Sequence, residues 1–158
     1  MRRSINSLIS WLPVLLWILL IFGASTDMMS SSRTSRIIGP VLRWIHPEVS
    51  DATIRGVQLV VRKGAHVTEY AILALLLYRA IRRSRELPKQ EWCASCAVWA
   101  WMLATLYAAS DEWHQSFVPS RGGSIHDVLI DASGAALGLL LWHGWILYQN
   151  DRKRQLTD

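Results

Sequence analysis

The stretch LISWLPVLLWILLIFGA, from Leu8 to Ala24, decides the fold class of this 158-residue chain. It has 17 residues and contains no charged side chain. A helix needs about 17–25 apolar residues to cross a hydrocarbon layer about 30 Å thick. We therefore interpret the stretch as a transmembrane helix. Such a helix tolerates the internal Pro13, because neighbouring groups can satisfy the freed backbone carbonyl.

Arg2 and Arg3 precede this stretch, as basic residues precede the apolar part of a secretory signal peptide. The stretch is long, however, it contains the bulky Trp11 and Trp17, and further apolar segments follow it. We therefore expect a helix that stays in the protein and is not cleaved.

The composition favours a membrane protein through the distribution of its residues. Charged residues make up 18% of the chain, whereas soluble domains have about 25%. The mean hydropathy is only +0.19, so the average alone does not establish the class. The net charge of +5 comes largely from basic residues beside apolar runs, and no nucleic-acid-binding motif is visible. Nucleic acid is therefore not an expected partner.

Four further helices are predicted. Apolar residues at spacings of three and four predict a short helix that ends at about Ile45, and its apolar face suits the membrane surface and the rest of the bundle equally. Long helices are predicted over about residues 51–82, 91–110 and 125–148. Together with the helix over about 8–24 they form an all-α bundle of four transmembrane helices with a short extracytoplasmic surface helix. We expect residues 1–158 to be a single membrane domain.

Basic residues indicate the orientation of this bundle. They cluster at the N-terminus, in the segment 79–89 and in the segment 152–154. These three places lie on one side of a chain that crosses the membrane four times, and loops rich in Lys and Arg stay in the cytoplasm. We therefore expect a multi-pass protein of the cytoplasmic membrane with both termini in the cytoplasm.

Cys93 and Cys96 have the C-x-x-C spacing of a redox pair or of half a zinc site. They lie at the start of an apolar helix, and no second Cys/His pair is near them in the sequence. We expect two small membrane-embedded cysteines without either role.

Two groups of polar residues lie at the same predicted depth, near the outer ends of the helices. In the second long helix, Arg62, His66 and Glu69 are spaced i, i+4 and i+7 and are predicted to share a face. Lys63 and Tyr70 flank His66 on an adjoining stripe. The other group spans the end of the third long helix and the start of the fourth, and it contains Asp111, Glu112, Gln115, Arg121, Asp127 and Asp131.

Ionisable residues at membrane depth cost about 2.5–3.5 kcal/mol each on insertion scales unless they pair or face a cavity. We therefore expect ion pairs, with Lys63 bound to Glu69 or Asp111 and Arg121 bound to Asp127. Two interpretations stay open. The residues form either a salt-bridge network that only holds the helices together, or a polar pocket that opens to the outer face.

In the pocket interpretation, His66, Glu69 and Asp111 are the candidate catalytic residues, because His and carboxylates serve as general acids and bases. The candidates for substrate binding are Arg62, Lys63, Tyr70, Glu112, Gln115, Arg121, Asp127 and Asp131. We assign no metal ligand and no cofactor, because one His-x-x-Glu differs from the zinc pattern His-Glu-x-x-His. A divalent cation stays an alternative occupant of the pocket.

The fourth long helix combines acidic and small residues. Asp127, Asp131 and Gly134 share a face on it. Gly134, Ala135 and Gly138 lack bulky side chains, so we expect another helix to pack closely against them.

The polar residues occur in a distinctive order along the chain. The order is Lys63-x-x-His66-x-x-Glu69-Tyr70, Asp111-Glu112-x-x-Gln115, Arg121, Asp127 and Gly134. It resembles the signature of the VanZ-like family, and the segment from Ile21 to Ser25 is similar to that family's opening. The resemblance extends over about residues 10–148. Before the glycine, where the family commonly has a polar amide, this chain has Ala132 and Ser133.

The family is named for a protein that confers low-level resistance to the glycopeptide teicoplanin. The resemblance therefore implies a bacterial membrane setting, with membrane lipids and a lipid-linked or cell-wall precursor as partners. It leaves three functions open, which are an envelope protein that binds such a component, a membrane hydrolase or transferase acting on a lipid headgroup, and a small transporter or scaffold. The oligomeric state is not predicted.

Overall fold

The computed structural model describes residues 2–26, 31–88, 91–119 and 122–156. The regular structure in these ranges is helical throughout, without a strand, so the predicted all-α fold is confirmed. The helices are α1 Arg2–Ser25, α2 Ser31–Ile45, α3 Asp51–Ser84, α4 Ala94–Gln115 and α5 Ile125–Gln155.

The helix starts follow from capping residues. Ser50 and Ser124 accept hydrogen bonds from backbone N–H groups in the first turns of α3 and α5, as N-cap serines do. At α4 the Sγ atom of Cys93 accepts the N–H of Cys96 at 3.2 Å, so α4 begins at Ala94 and not at about residue 91. Helix α4 continues to Gln115 and α5 to Gln155, so both helices extend beyond their apolar runs. Polar side chains end an apolar run, but they do not interrupt the backbone hydrogen bonds of a helix.

Helix α3 is the centre of the bundle, because it contacts each of the other four helices. Its closest neighbour is α5. A Cβ atom built on Gly134 would lie 2.5 Å from the carbonyl oxygen of Val67, and one on Gly138 would lie 2.9 Å from that of Ala71. The predicted close packing at these glycines is therefore confirmed.

Helix α4 packs through a stripe of small residues. Ala97, Ala100, Ala104 and Ala108 are buried and recur at spacings of three and four. The same face continues into three buried polar residues, Asp111, Glu112 and Gln115. The helical repeat that packs the alanines into the core therefore also directs these polar side chains inward.

Helix α1 is attached to the bundle by side-chain hydrogen bonds to backbone carbonyls. Nε1 of Trp17 donates to the carbonyl oxygen of Glu69 at 2.9 Å. In the opposite sense, the hydroxyl of Tyr107 donates to the carbonyl oxygen of Ile18 at 3.0 Å. These bonds connect α1 with α3 and α4.

Two of the described helices are long and apolar enough to cross a membrane, α1 through Leu8–Ser25 and α5. Helices α3 and α4 are not apolar enough to meet the same criterion. The described residues therefore contain two such helices, whereas the sequence predicted four transmembrane helices. The first half of α3 carries Arg55, Arg62 and Lys63, and these charges lower the mean hydropathy of the helix. Large apolar side chains nevertheless cover the outside of the bundle, for example Leu16 on α1, Leu106 on α4 and Leu140 on α5.

Cys93 and Cys96, which the sequence predicted to be small membrane-embedded cysteines without a redox or zinc role, form a disulfide with each other. The backbone N–H of Cys93 also donates to the hydroxyl of Tyr78 at 3.1 Å. The C-x-x-C segment therefore forms a disulfide-closed turn at the start of α4, and a hydrogen bond attaches this turn to α3.

The close contact between α3 and α5 predicts that adding a single methyl group at Gly134 destabilises the protein. Gly134→Ala should lower the free energy of unfolding by about 1–3 kcal/mol, because the added Cβ would overlap the backbone of Val67. Thermal unfolding of the detergent-purified protein measures the effect.

The matched control is Gly144→Ala in the same helix, where a Cβ would meet nothing within 4 Å. Alanine there should leave stability unchanged or raise it by up to about 1 kcal/mol, since alanine is the better helix former. Equal effects of the two substitutions would contradict the close packing of α3 and α5.

Candidate functional site

A cluster of polar side chains lies where the end of α1, the middle of α3, the end of α4 and the start of α5 meet. Most of its members are buried although the bundle around them is apolar. We call it the polar cluster, and its residues are Ser25, Lys63, His66, Tyr70, Asp111, Glu112, Gln115, Asp127 and Asp131. The structure thus brings together residues from the two polar groups that the sequence placed at one depth.

On one side of the polar cluster, α3 contacts α5 through two polar pairs. Nδ1 of His66 lies 3.0 Å from Oδ1 of Asp131, and Lys63 forms an ion pair with Asp127. Lys63 precedes His66 on α3, and their partners Asp127 and Asp131 follow in the same order on α5. Helices α3 and α5 are therefore parallel.

The observed ion pair corrects the predicted partners of Lys63. Lys63 was expected to bind Glu69 or Asp111, and it binds Asp127 instead. Glu69 follows six residues later on the same helix, whereas the parallel packing of α3 and α5 brings Asp127 directly opposite Lys63.

On the other side of the polar cluster, Asp111 receives hydrogen bonds from three helices. Its Oδ2 atom accepts from Oγ of Ser25 at 2.8 Å, from Nε2 of Gln115 at 2.9 Å and from the hydroxyl of Tyr70 at 3.5 Å. Ser25 is buried at the end of α1 and was not among the predicted site residues. Its position at the end of the first apolar run was the signal that would have placed it there.

Glu112 connects α4 with the turn before α5. Its Oε2 atom accepts the backbone N–H of Ser124 at 2.8 Å. Gly123 lies so close to the backbone carbonyl of Glu112 that a Cβ atom would overlap it. This close approach requires glycine and brings the start of α5, with Asp127 and Asp131, next to α4.

Some carboxylate oxygens of the polar cluster could still accept a hydrogen bond. Three buried carboxylate oxygens have no hydrogen-bond partner among the described residues, namely Oδ1 of Asp111, Oε1 of Glu112 and Oδ2 of Asp131. Buried polar atoms in native proteins are almost always partnered. In addition, His66, Glu112 and Asp131 can each offer one ligand atom to a metal ion, with these atoms within 4.8 Å of one another.

The remaining predicted site residues are Arg62, Glu69 and Arg121. Arg62 is exposed on α3, whereas His66 four residues later is buried. Glu69 is half-buried, and its carboxylate acts electrostatically on His66. Arg121 lies outside the described residues, and its predicted pairing with Asp127 lies there with it.

An apolar outer surface around buried acidic residues, together with two helices able to cross a bilayer, indicates a helical membrane protein. A family model described as VanZ/LLP1 matches residues 10–148. The match covers most of the chain, so the chain belongs to the VanZ/LLP1 family, as the order of its polar residues suggested. The comparisons with curated proteins and with solved structures returned no match.

The ion pair between Lys63 and Asp127 should couple α3 to α5 energetically. Its side chains are only 28% and 11% exposed, so Lys63→Met and Asp127→Asn should show a coupling of about 1–3 kcal/mol in a double-mutant cycle. Equilibrium unfolding in detergent measures the four proteins of the cycle.

The pair Arg43–Asp51 serves as the control cycle, because its side chains are 59% and 69% exposed. Exposed pairs contribute about 0–1 kcal/mol. Additive effects at Lys63 and Asp127 would show that the buried pair does not stabilise the α3–α5 contact.

Proposed function

We propose that this chain is a multi-pass protein of the bacterial cytoplasmic membrane, crossed by α1, α3, α4 and α5, with both termini in the cytoplasm. The exposed apolar side chains of α4, such as Trp99, Leu103 and Leu106, support its place among the spanning helices. The spanning part of α3 is its second half, where Leu73, Ala74, Leu77, Tyr78 and Ile81 belong to the core. The basic clusters then lie on the cytoplasmic side.

In this arrangement α2 lies on the outer membrane surface. Its apolar residues Ile37, Val41, Trp44 and Ile45 are exposed in the bundle, and α3 is the helix that it contacts. An amphipathic helix with an uncovered apolar face containing Trp is typical of the membrane interface. The membrane thus takes the place of a protein partner for this face.

We further propose that the polar cluster binds the headgroup of a lipid-linked or cell-wall component at the outer leaflet. The observation that carries this proposal is the set of buried carboxylate oxygens without partners, Oδ1 of Asp111 above all. A network that only holds helices together would satisfy such atoms internally. A headgroup with hydroxyl, amide or ammonium donors supplies the complementary groups.

Family membership supports a role in the cell envelope. The VanZ-like family is named for a protein that confers low-level resistance to the glycopeptide teicoplanin. A binding site at the outer leaflet that changes the amount or accessibility of a lipid-linked or cell-wall component would alter sensitivity to this class of antibiotic. We propose this role for the chain.

A membrane-embedded hydrolase or transferase is the alternative, favoured by the contact of 3.0 Å between His66 and Asp131. A carboxylate that orients an imidazole is a common element of acid/base catalysis. Glu69 or Asp111 would complete the reacting set. Turnover of a lipid substrate by the wild type, abolished in His66→Gln while binding persists, would favour the enzyme over the binding protein.

The four-span arrangement predicts which loops are reachable from outside the cell. Single cysteines, introduced after Cys93→Ser and Cys96→Ser, should react with a membrane-impermeant maleimide in intact cells at outer sites only. Inner sites should react only after permeabilisation. The outer sites are Glu48→Cys and Val118→Cys, and the inner sites are Glu86→Cys and Arg154→Cys. Labelling of Glu86→Cys in intact cells would contradict the orientation.

The headgroup proposal predicts loss of function without loss of protein. His66→Gln and Asp111→Asn should accumulate normally in membranes and yet abolish the change in sensitivity to teicoplanin and other envelope antibiotics that the wild type confers. Removing the buried charge of Asp111 weakens binding by about 2–5 kcal/mol, which is about thirtyfold or more in affinity. Growth assays in a host lacking its own copy, with immunoblots of the membranes, provide the measurement.

The matched control is Asp51→Asn, which changes an exposed carboxylate on the same helix as His66. It should leave sensitivity unchanged. If the phenotype of each cluster variant instead declines in proportion to its membrane level, the polar cluster is structural and the proposal fails.

A further inference from the structure

We infer that His66, Glu112 and Asp131 bind one divalent transition-metal ion of the Zn²⁺ or Mn²⁺ type. The three residues come from α3, α4 and α5, so the ion would connect three helices. This inference goes beyond the proposed function, because it holds whether or not the polar cluster also binds a headgroup.

The first support is geometric. Each of the three residues offers a ligand atom, and these atoms lie within 4.8 Å of one another. Ligand atoms bound to one tetrahedral ion at about 2.0–2.1 Å lie about 3.3 Å apart. Atoms that are up to 4.8 Å apart therefore reach a single ion after the side chains draw closer by up to about 1.5 Å.

The second support is independent of the clustering and concerns unpartnered atoms. Glu112 is 4% exposed and Asp131 is 0% exposed. One oxygen of each, Oε1 of Glu112 and Oδ2 of Asp131, has no hydrogen-bond partner within the described ranges. Burying a carboxylate oxygen without a partner is costly, and a bound cation removes that cost.

The charges of the site also match a divalent ion. Glu112 and Asp131 together carry two negative charges when ionised, and neutral His66 adds none. Within the polar cluster Lys63 is already bound to Asp127. A divalent cation therefore neutralises the charges of Glu112 and Asp131, which is favourable for carboxylates buried away from water.

The donor set indicates the class of metal. Imidazole nitrogen favours Zn²⁺ and other transition metals, whereas Mg²⁺ and Ca²⁺ prefer oxygen ligands alone. One imidazole with two carboxylates suits Zn²⁺ or Mn²⁺. Three protein ligands leave at least one coordination position open to water or to an oxygen of a bound ligand.

Metal analysis of the purified protein tests this inference. The protein is prepared in detergent with its affinity tag removed, and Cys93→Ser/Cys96→Ser excludes binding by thiols. After equilibration with ZnCl₂ or MnCl₂ and gel filtration, plasma mass spectrometry should find about one ion per chain, as expected for a single site. Glu112→Gln and Asp131→Asn should each lower the bound metal at least about tenfold, because they remove a charged ligand.

Two controls separate this site from other binding. His126→Ala changes an exposed histidine at the start of α5 and should retain the full metal content. Asp111→Asn changes the carboxylate of the other side of the polar cluster, and it too should retain the metal even though the headgroup proposal requires it to lose function. Failure of one proposal is thereby distinguishable from failure of the other.

Stability provides a second readout if a variant folds poorly. Zn²⁺ or Mn²⁺, at concentrations where Mg²⁺ has no effect, should raise the melting temperature of the wild type and of His126→Ala but not of Asp131→Asn. A wild type that holds less than a tenth of an ion per chain and gains no stability from either metal overturns the inference. Equal metal content in Glu112→Gln, Asp131→Asn and the wild type would also overturn it.

Discussion

The close approach of α3 and α5 is the contact on which the rest of the structure depends. At Gly134 and Gly138 the absence of a side chain lets the backbone of α5 reach the backbone of α3 at Val67 and Ala71. Helices that touch at this distance cannot slide past each other without overlap. The contact therefore determines a parallel register, and this register aligns the polar residues of α3 with Asp127 and Asp131 of α5.

Helix α4 closes the polar cluster from the third side. Its buried alanines form a narrow stripe that lets α4 lie near α3 and α5, and Asp111 and Glu112 continue that stripe. Acidic residues on such a face cannot turn toward water without rotating the whole helix out of the core. The fold thus holds carboxylates in an apolar setting, where an unpartnered oxygen strongly favours binding of a cation or of a hydrogen-bond donor.

The polar cluster has two sides with different chemistry. Around Asp111, hydrogen bonds from Ser25, Gln115 and Tyr70 hold one oxygen and leave the other for a ligand. Around Asp131, a histidine and a second carboxylate form a set suited to a metal ion. A metal on the second side would leave the first side available to a headgroup, so a protein of the VanZ/LLP1 family could combine both. The proposed headgroup and metal sites are therefore compatible with each other.

The sequence by itself determined the helical class, the positions of the helices and the family, because apolar runs, capping serines and the order of polar residues are local signals. It also placed most of the polar cluster at one depth and predicted the close contact at Gly134. It assigned Lys63 to the wrong partner and overlooked Ser25. Only the tertiary structure decided which side chains meet, since the rotation and register of packed helices depend on contacts between residues far apart in the chain. The grouping of His66 with Glu112 and Asp131 arises from three helices, and no spacing within one helix encodes it.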